Sequence, residues 1–316
     1  MSATVPPERA PSTSTGAGIA YICAGAFCMV TTDAFDKYLY QSLPVIEILF
    51  FRMLFTLPLL MLVAVCFDGR QALVSRAPAL QVARGVAATV ASLTYIFALG
   101  LMPLADAAAI GYTSPLFITL LAIPLLRERP RWQQWAATIL GFGGVVLVAQ
   151  PGTAFFSWAA LLPLASACAY ALIMVTARTL AERGDSIWVT MIYSTCVPLL
   201  VSGAFVALDW KLPDSRQILM LAGVGILGCV AITLVTQAFR VGTASVVAPF
   251  DYTGLLWSAL IGWLVWNEIP GASAMAGLVL ILLAGGYLAW QRGGRGGQHP
   301  AAVCGTALKP TAEDRA

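Results

Sequence analysis

The chain has 316 residues, of which 59% are hydrophobic and only 10% charged, with a formal net charge of +3. Soluble domains carry about 25% charged residues, so a water-exposed globule is excluded and lipid must cover most of the exterior. The small positive balance is a matter of loops, and no basic run interleaved with aromatics offers a nucleic-acid surface.

In chain order, residues 1–17 are rich in Ser, Thr, Pro and Ala and read as a disordered tail. Ten apolar runs long enough to cross a bilayer follow, at 18–37, 44–67, 82–102, 105–126, 132–150, 155–177, 187–208, 217–240, 243–266 and 270–290. The Gly-rich residues 291–316 read as a second tail, on the cytoplasmic side. The first run is not a secretory signal, because it continues into Asp33, Asp36 and Lys37 in place of a small-residue cleavage site. Six cysteines (Cys23, Cys28, Cys66, Cys168, Cys196 and Cys229) fall inside these runs, where they read as small packing residues.

The runs repeat. A shift of 140 residues superposes Tyr112-Thr113 on Tyr252-Thr253, Leu116 on Leu256, Leu120 on Leu260, Glu128 on Glu268 and Pro130 on Pro270. The first five runs land on the second five, giving two five-helix units, 18–150 and 155–290. Around the shared glutamate the first copy carries Arg127, Arg129 and Arg131, and the second carries none. With both tails in the cytoplasm, that side collects Arg9, Arg70, Arg76, the three arginines above, Arg178, Arg183, Arg240, Arg292, Arg295, Lys309 and Arg315. The other side keeps Lys37, Lys211 and Arg216. The positive-inside rule then orients the chain, and an odd number of helices per unit inverts the second unit. Arg84, at the head of the third run, is expected to snorkel to the cytoplasmic side. The fold class is an all-α polytopic membrane protein, ten transmembrane helices as two inverted five-helix repeats.

Ionisable groups at membrane depth are costly and mark polar cavities or partners. Asp251 stands in Ala248-Pro249-Phe250-Asp251-Tyr252-Thr253-Gly254, where a proline loosens the helix and a glycine permits close approach. Arg52, about eight residues into the second run, needs a carboxylate, and Asp251, Asp33 and Glu47 are the candidates. Asp33 and Lys37, four apart, can pair on one helix face that Asp36 shares. Tyr112 and Tyr252, each followed by a threonine (Thr113 and Thr253), occupy repeat-related points where inverted-repeat carriers place their substrates. Pro115 and Pro249 make both helices candidates for bending. Gln237 is a further polar residue able to line the same space. Gly141, Gly144, Gly225, Gly228 and Gly277 mark close helix contacts, and Trp266 and Trp290 suit interfacial anchoring.

These features resemble the drug/metabolite transporter superfamily, in particular its EamA-type members. The stretches Leu104–Val148 and Ala244–Leu288 carry the pattern: small residues, a polar or proline-bearing centre, a glutamate at the helix end, a proline turn and a glycine-rich helix. Asp33 to Lys37 followed by Pro44 to Arg52 is similar to the start of bacterial members. The resemblance covers residues 18–290 and implies a carrier with a central cavity, working by alternating access on amino acids, nucleotide-like metabolites, vitamins, metallophores or cationic drugs. The second copy departs from the first in having Leu255 where the first has Pro115.

An intramembrane enzyme would need a nucleophile with a base, or a metal cluster. The only histidine, His299, lies in the tail, and neither a metal site nor a cofactor is expected. A channel would be expected to show a filter motif, and a multidrug or cation exporter of the same superfamily is the other alternative. The expectation is therefore an inner-membrane secondary carrier of a small amphoteric organic metabolite. A coupling proton or cation would act at Asp251.

Overall fold

The computed structural model describes residues 15–68, 74–126, 132–149, 158–241, 248–269 and 271–293. The expected tails and the Arg127 to Arg131 turn with Glu128 lie largely or wholly outside the described residues. The helices are α1 Thr15–Tyr40, α2 Val45–Asp68, α3 Pro78–Leu101, α4 Leu104–Gly111, α5 Ser114–Leu126 and α6 Trp132–Ala149. They continue as α7 Leu161–Glu182, α8 Ile187–Phe205, α9 Ser215–Val241, α10 Thr253–Trp266 and α11 Ala272–Gly293. Among the described residues, six are long and apolar enough to span a bilayer unaided, namely α1, α2, α3, α7, α8 and α9. The shorter apolar helices complete the ten spans, α4 and α5 together making the fourth.

Local chemistry sets the helix ends. Asp214 and Gln217 form a reciprocal capping box at the start of α9: the Gln217 N–H donates to Asp214 Oδ1 at 2.7 Å and the Asp214 N–H to Gln217 Oε1 at 2.8 Å. Ser186 caps α8, its hydroxyl accepting the Trp188 N–H at 3.2 Å. Proline at the first position of α3 occupies a place where no backbone donor is needed. Two helices end on left-handed residues, Gly184 (φ 82°) after α7 and Asn267 (φ 55°) after α10. In both cases the next residue is a carboxylate, Asp185 or Glu268.

The packing obeys the repeat. Helix α1 lies along α9, and the repeat-equivalent pair α3 and α7 does the same. The self-equivalent pairs, α2 with α8 and α6 with α11, also meet. This set is unchanged when the halves are exchanged, as a two-fold axis between inverted units requires. Glycines carry the tightest crossings. A Cβ on Gly144 would sit 2.7 Å from the Gly277 carbonyl oxygen, and a Cβ on Gly225 2.6 Å from Phe55 Cβ. Gly228, expected at such a contact, has no such neighbour within 4 Å. Its neighbour in the glycine pair, Gly225, takes the helix contact instead.

The fourth span is not a continuous helix, and the described part of the ninth begins in a 3-10 turn. Tyr112 and Thr113 form a turn between α4 and α5, and Ala248–Tyr252 forms a 3-10 turn ahead of α10. The breaks fall on the Tyr-Thr pairs that the repeat superposes. Pro115 in the first turn of α5, and Pro249 within the 3-10 turn, lack the N–H that a continuous helix would use there.

Candidate functional site

The two breaks meet. The Tyr112 and Tyr252 rings lie 5.4 Å apart between centroids, inclined at 37°. The Tyr112 hydroxyl donates to the Asp251 carbonyl oxygen at 3.0 Å, so a residue of one repeat satisfies backbone freed by the break in the other. Gly254 makes this possible, because a Cβ there would collide with the Tyr112 hydroxyl. The threonines turn inward on their own chain: Thr113 donates to the Ile110 carbonyl at 2.6 Å and Thr253 to the Phe250 carbonyl at 2.7 Å. Both close local turns and leave the aromatic rings to face the junction.

Asp251 lies within electrostatic range of Tyr112 and Tyr170, and Tyr170 within range of Arg84. Among the described residues no cation comes within ion-pair distance of Asp251. Arg84 does not snorkel outward. It is buried and donates to the Ile173 and Thr190 carbonyls at 3.1 and 3.3 Å, because α7 and α8 pack over the head of α3.

Arg52 finds a partner other than the three expected. Its Nη1 donates to Asp36 Oδ2 at 2.6 Å, with the Asp36 side chain fully buried and the Arg52 side chain 19% exposed. Asp251 belongs to the helix-break junction and Asp33 accepts from the Tyr95 hydroxyl at 3.4 Å. Glu47 is taken up by the loop before α9, its Oε2 accepting the Lys211 N–H at 3.2 Å. Asp33 remains within electrostatic range of Arg52, Asp36 and Tyr112. Arg52, Asp33, Tyr95, Tyr112, Tyr252 and Asp251 thus form one continuous polar and aromatic seam. Gln237 precedes Ala238 in α9, and Ala238 packs with Ile22, about three turns of α1 before Asp33.

The expected Asp33 and Lys37 pair is also absent. Lys37 Nζ binds Glu268 Oε1 at 2.5 Å and the Met102 carbonyl at 2.9 Å, and stands 5.1 Å from the centre of the Trp266 ring. The second Glu268 oxygen accepts the Leu104 N–H at 3.0 Å, capping α4 where the helix dipole favours negative charge. Asp106, in the first turn of α4, is within electrostatic range of both ions. The reason is rotational. Asp36 and Lys37 are adjacent on α1 and point about 100° apart, so Asp36 reaches Arg52 on α2 while Lys37 reaches Glu268 at the head of α4.

Tyr95, Tyr170, Asp36 and Trp257 join this region without a repeat signal, since none is matched by an identical residue in the other half. Trp257 packs edge-on against Phe27 with ring centroids 5.1 Å apart, and its buried Nε1–H meets no acceptor among the described residues. Asp36 showed in the sequence only as sharing a face with Asp33, Trp257 stands four residues after Thr253, and no cue marked Tyr95 or Tyr170.

The fold and the seam define a polytopic carrier built around two broken helices. The chain belongs to the EamA-like transporter family, whose pattern matches residues 16–150 and again 157–288. Among its relatives is an S-adenosylmethionine uptake transporter of Rickettsia prowazekii (strain Madrid E), 29% identical and aligned over 83% of this chain and 90% of that protein. The pseudopaline exporter CntI of Pseudomonas aeruginosa (strain UCBPP-PA14) is also 29% identical, over 84% of this chain and 94% of the relative. A riboflavin transporter of Rhizobium johnstonii is 31% identical over 74% and 76% of the two chains. A solved crystal structure shares the fold with a TM-score of 0.62 at 19% identity, covering 89% of this chain and 100% of that one.

Proposed function

We propose that the chain is a secondary carrier of a small amphoteric metabolite with a planar part and a cationic centre, working by alternating access in the inner membrane. Both termini lie in the cytoplasm, so the face carrying the α1–α2 connection is the external one. The observation that carries this reading is the junction of the two broken helices, where Tyr112 and Tyr252 stack beside Asp251. Discontinuous helices place polar backbone and a carboxylate at membrane depth without exposing them to lipid. The charge balance supports a cationic centre. Asp33, Asp36, Glu47, Asp106, Asp251 and Glu268 outnumber Lys37, Arg52 and Arg84 among the described buried or partly buried groups.

Tyrosine faces attract cations and stack on planar rings, while Arg52 offers a donor for a carboxylate. S-adenosylmethionine, which the names of the Rickettsia relatives carry, combines a sulfonium, an amino-acid group and a purine, so it is the first solute to test. Asp251 is the coupling group, taking a proton or the solute's cation in turn. An enzyme reading has no support in the relatives' names, which are those of transporters. In proteoliposomes, a metabolite-competition screen with and without a pH gradient identifies the solute. Asp251→Asn is expected to abolish solute movement while leaving insertion and folding intact. Full transport by that variant would remove Asp251 from the mechanism.

A further inference from the structure

Arg84 is a buried cation without an anion. It lies in the second turn of α3, is 7% exposed, and among the described residues has no ion-pair partner. Asp185, at the turn between α7 and α8, is taken by the Ser75 hydroxyl, the Arg76 N–H and the Gln81 amide. Arg52, by contrast, spends its charge on Asp36. Burying an unpaired charge is strongly unfavourable, so Arg84 needs a reason to be where it is.

Its two hydrogen bonds do not supply one. The Ile173 carbonyl that accepts from Nε also accepts from the Thr176 hydroxyl at 3.1 Å. The Thr190 carbonyl that accepts from Nη1 also accepts from the Ser194 hydroxyl at 2.9 Å. Both oxygens are satisfied without the arginine, and as neutral groups they do not cancel its charge. Nor is Arg84 needed to close α3 on α8, because Gly85 already does so: a Cβ there would stand 2.5 Å from Val197 Cβ. The two bonds fix the plane of a guanidinium that has five N–H donors, and Nη2 has no partner among the described residues. Tyr170, on α7 one turn before Ile173, is within electrostatic range of Arg84, Asp251 and Tyr112. It is 43% exposed, although those three stand on α3, on the 3-10 turn before α10 and on the α4–α5 turn. Its ring therefore borders the space between the halves, with a cation on one side and a carboxylate on the other.

We propose that Arg84 binds the carboxylate of the transported solute, while Asp251 takes its cationic centre and the Tyr170 and Tyr112 rings hold the part between them. This rests on the carrier reading above and adds to it a contact that selects zwitterions over plain cations. A plain cation leaves Arg84 unpaired, whereas a zwitterion brings the anion that the fold withholds.

Thermal unfolding of the purified full chain in detergent tests the site without reference to any particular solute. Sodium acetate, compared with sodium chloride at equal ionic strength, is expected to raise the melting temperature of the parent by mass action. Arg84→Lys should keep part of this rise and Arg84→Met should lose it. In sodium chloride Arg84→Met should be at least as stable as the parent, since both carbonyls keep their hydroxyl donors. Equilibrium binding of S-adenosylmethionine and of its decarboxylated form then tests the ligand. The parent should bind the carboxylate-bearing compound about tenfold more tightly, the factor that one hydrogen bond to a charged group supplies, and Arg84→Met should bind the two alike. An acetate response absent from the parent, or unchanged in Arg84→Met, overturns the proposal. So does an Arg84→Met protein that melts well below the parent or loses affinity for both compounds equally, which would make Arg84 a helix clasp. An acetate response confined to the parent and Arg84→Lys, with neither compound bound, supports Arg84 as the anion contact and removes only S-adenosylmethionine as the solute.

Discussion

Arg52 and Asp36 show how one buried pair constrains everything around it. Asp36 has no exposed side-chain surface, and its second oxygen, Oδ1, meets no hydrogen-bond partner among the described residues. Taking Arg52 away therefore strands a carboxylate in apolar surroundings, at a cost of about 3–5 kcal/mol. Arg52→Gln alone is expected to give little monodisperse protein on size exclusion, and the double variant Arg52→Gln/Asp36→Asn to recover most of it. A single variant as heat-stable as the parent would mean that the pair is not structural. The need for a carboxylate at Arg52 was legible from its depth in the second span. Its identity was not, because Asp33 and Asp36 share one helix and only the rotation of α1 against α2 chooses between them.

At the scale of elements, the repeats clasp one another through carboxylates that follow a left-handed residue. Gly184 turns the end of α7 so that Asp185 accepts from the Ser75 hydroxyl at 2.5 Å, the Arg76 N–H at 2.7 Å and the Gln81 amide at 2.9 Å. Asn267 does the same for Glu268 at the head of α4 on the opposite face. Burial pushes the Asp185 carboxyl up, but the hydrogen bonds from Ser75, Arg76 and Gln81 and the Arg76 charge outweigh it and hold it below the ordinary carboxylate range. A carboxyl lowered on folding adds stability that is complete above its unfolded pKa and disappears as pH falls through the folded one. Asp185→Asn should thus lower the melting temperature at neutral pH, and the gap to the parent should close on acidification. A gap that stays constant across that range would assign the loss to shape and not to charge. The carboxylates were visible in the sequence, and Glu268 stood out through its match with Glu128. Their targets were not, since each grips backbone more than a hundred residues away.

For the whole molecule, Lys37, Glu268, the Met102 carbonyl and the start of α4 tie α1, α10 and α4 together at the face of the α1–α2 connection. Opening that face to a solute must break this tie, because the tied helices also carry the Tyr112 and Asp251 junction. In a variant lacking the native cysteines, Lys37→Cys/Glu268→Cys joined by a short cleavable thiol reagent is expected to stop transport, and cleaving the bridge to restore it. Transport that continues through the bridge would place the moving gate elsewhere.

Sequence alone determined the ten spans and their inverted pairing, and it marked the helices of Pro115 and Pro249 as candidates for bending. Those features are written in hydrophobic length and in a 140-residue repeat, which are patterns along the chain. Tertiary structure alone decided that Arg52 joins Asp36, that Lys37 joins Glu268 and that Arg84 turns inward. The physical reason is geometric. Each residue turns a helix face by about 100°, so which ion meets which depends on how two helices are rotated against each other, and that is settled only when all of them pack.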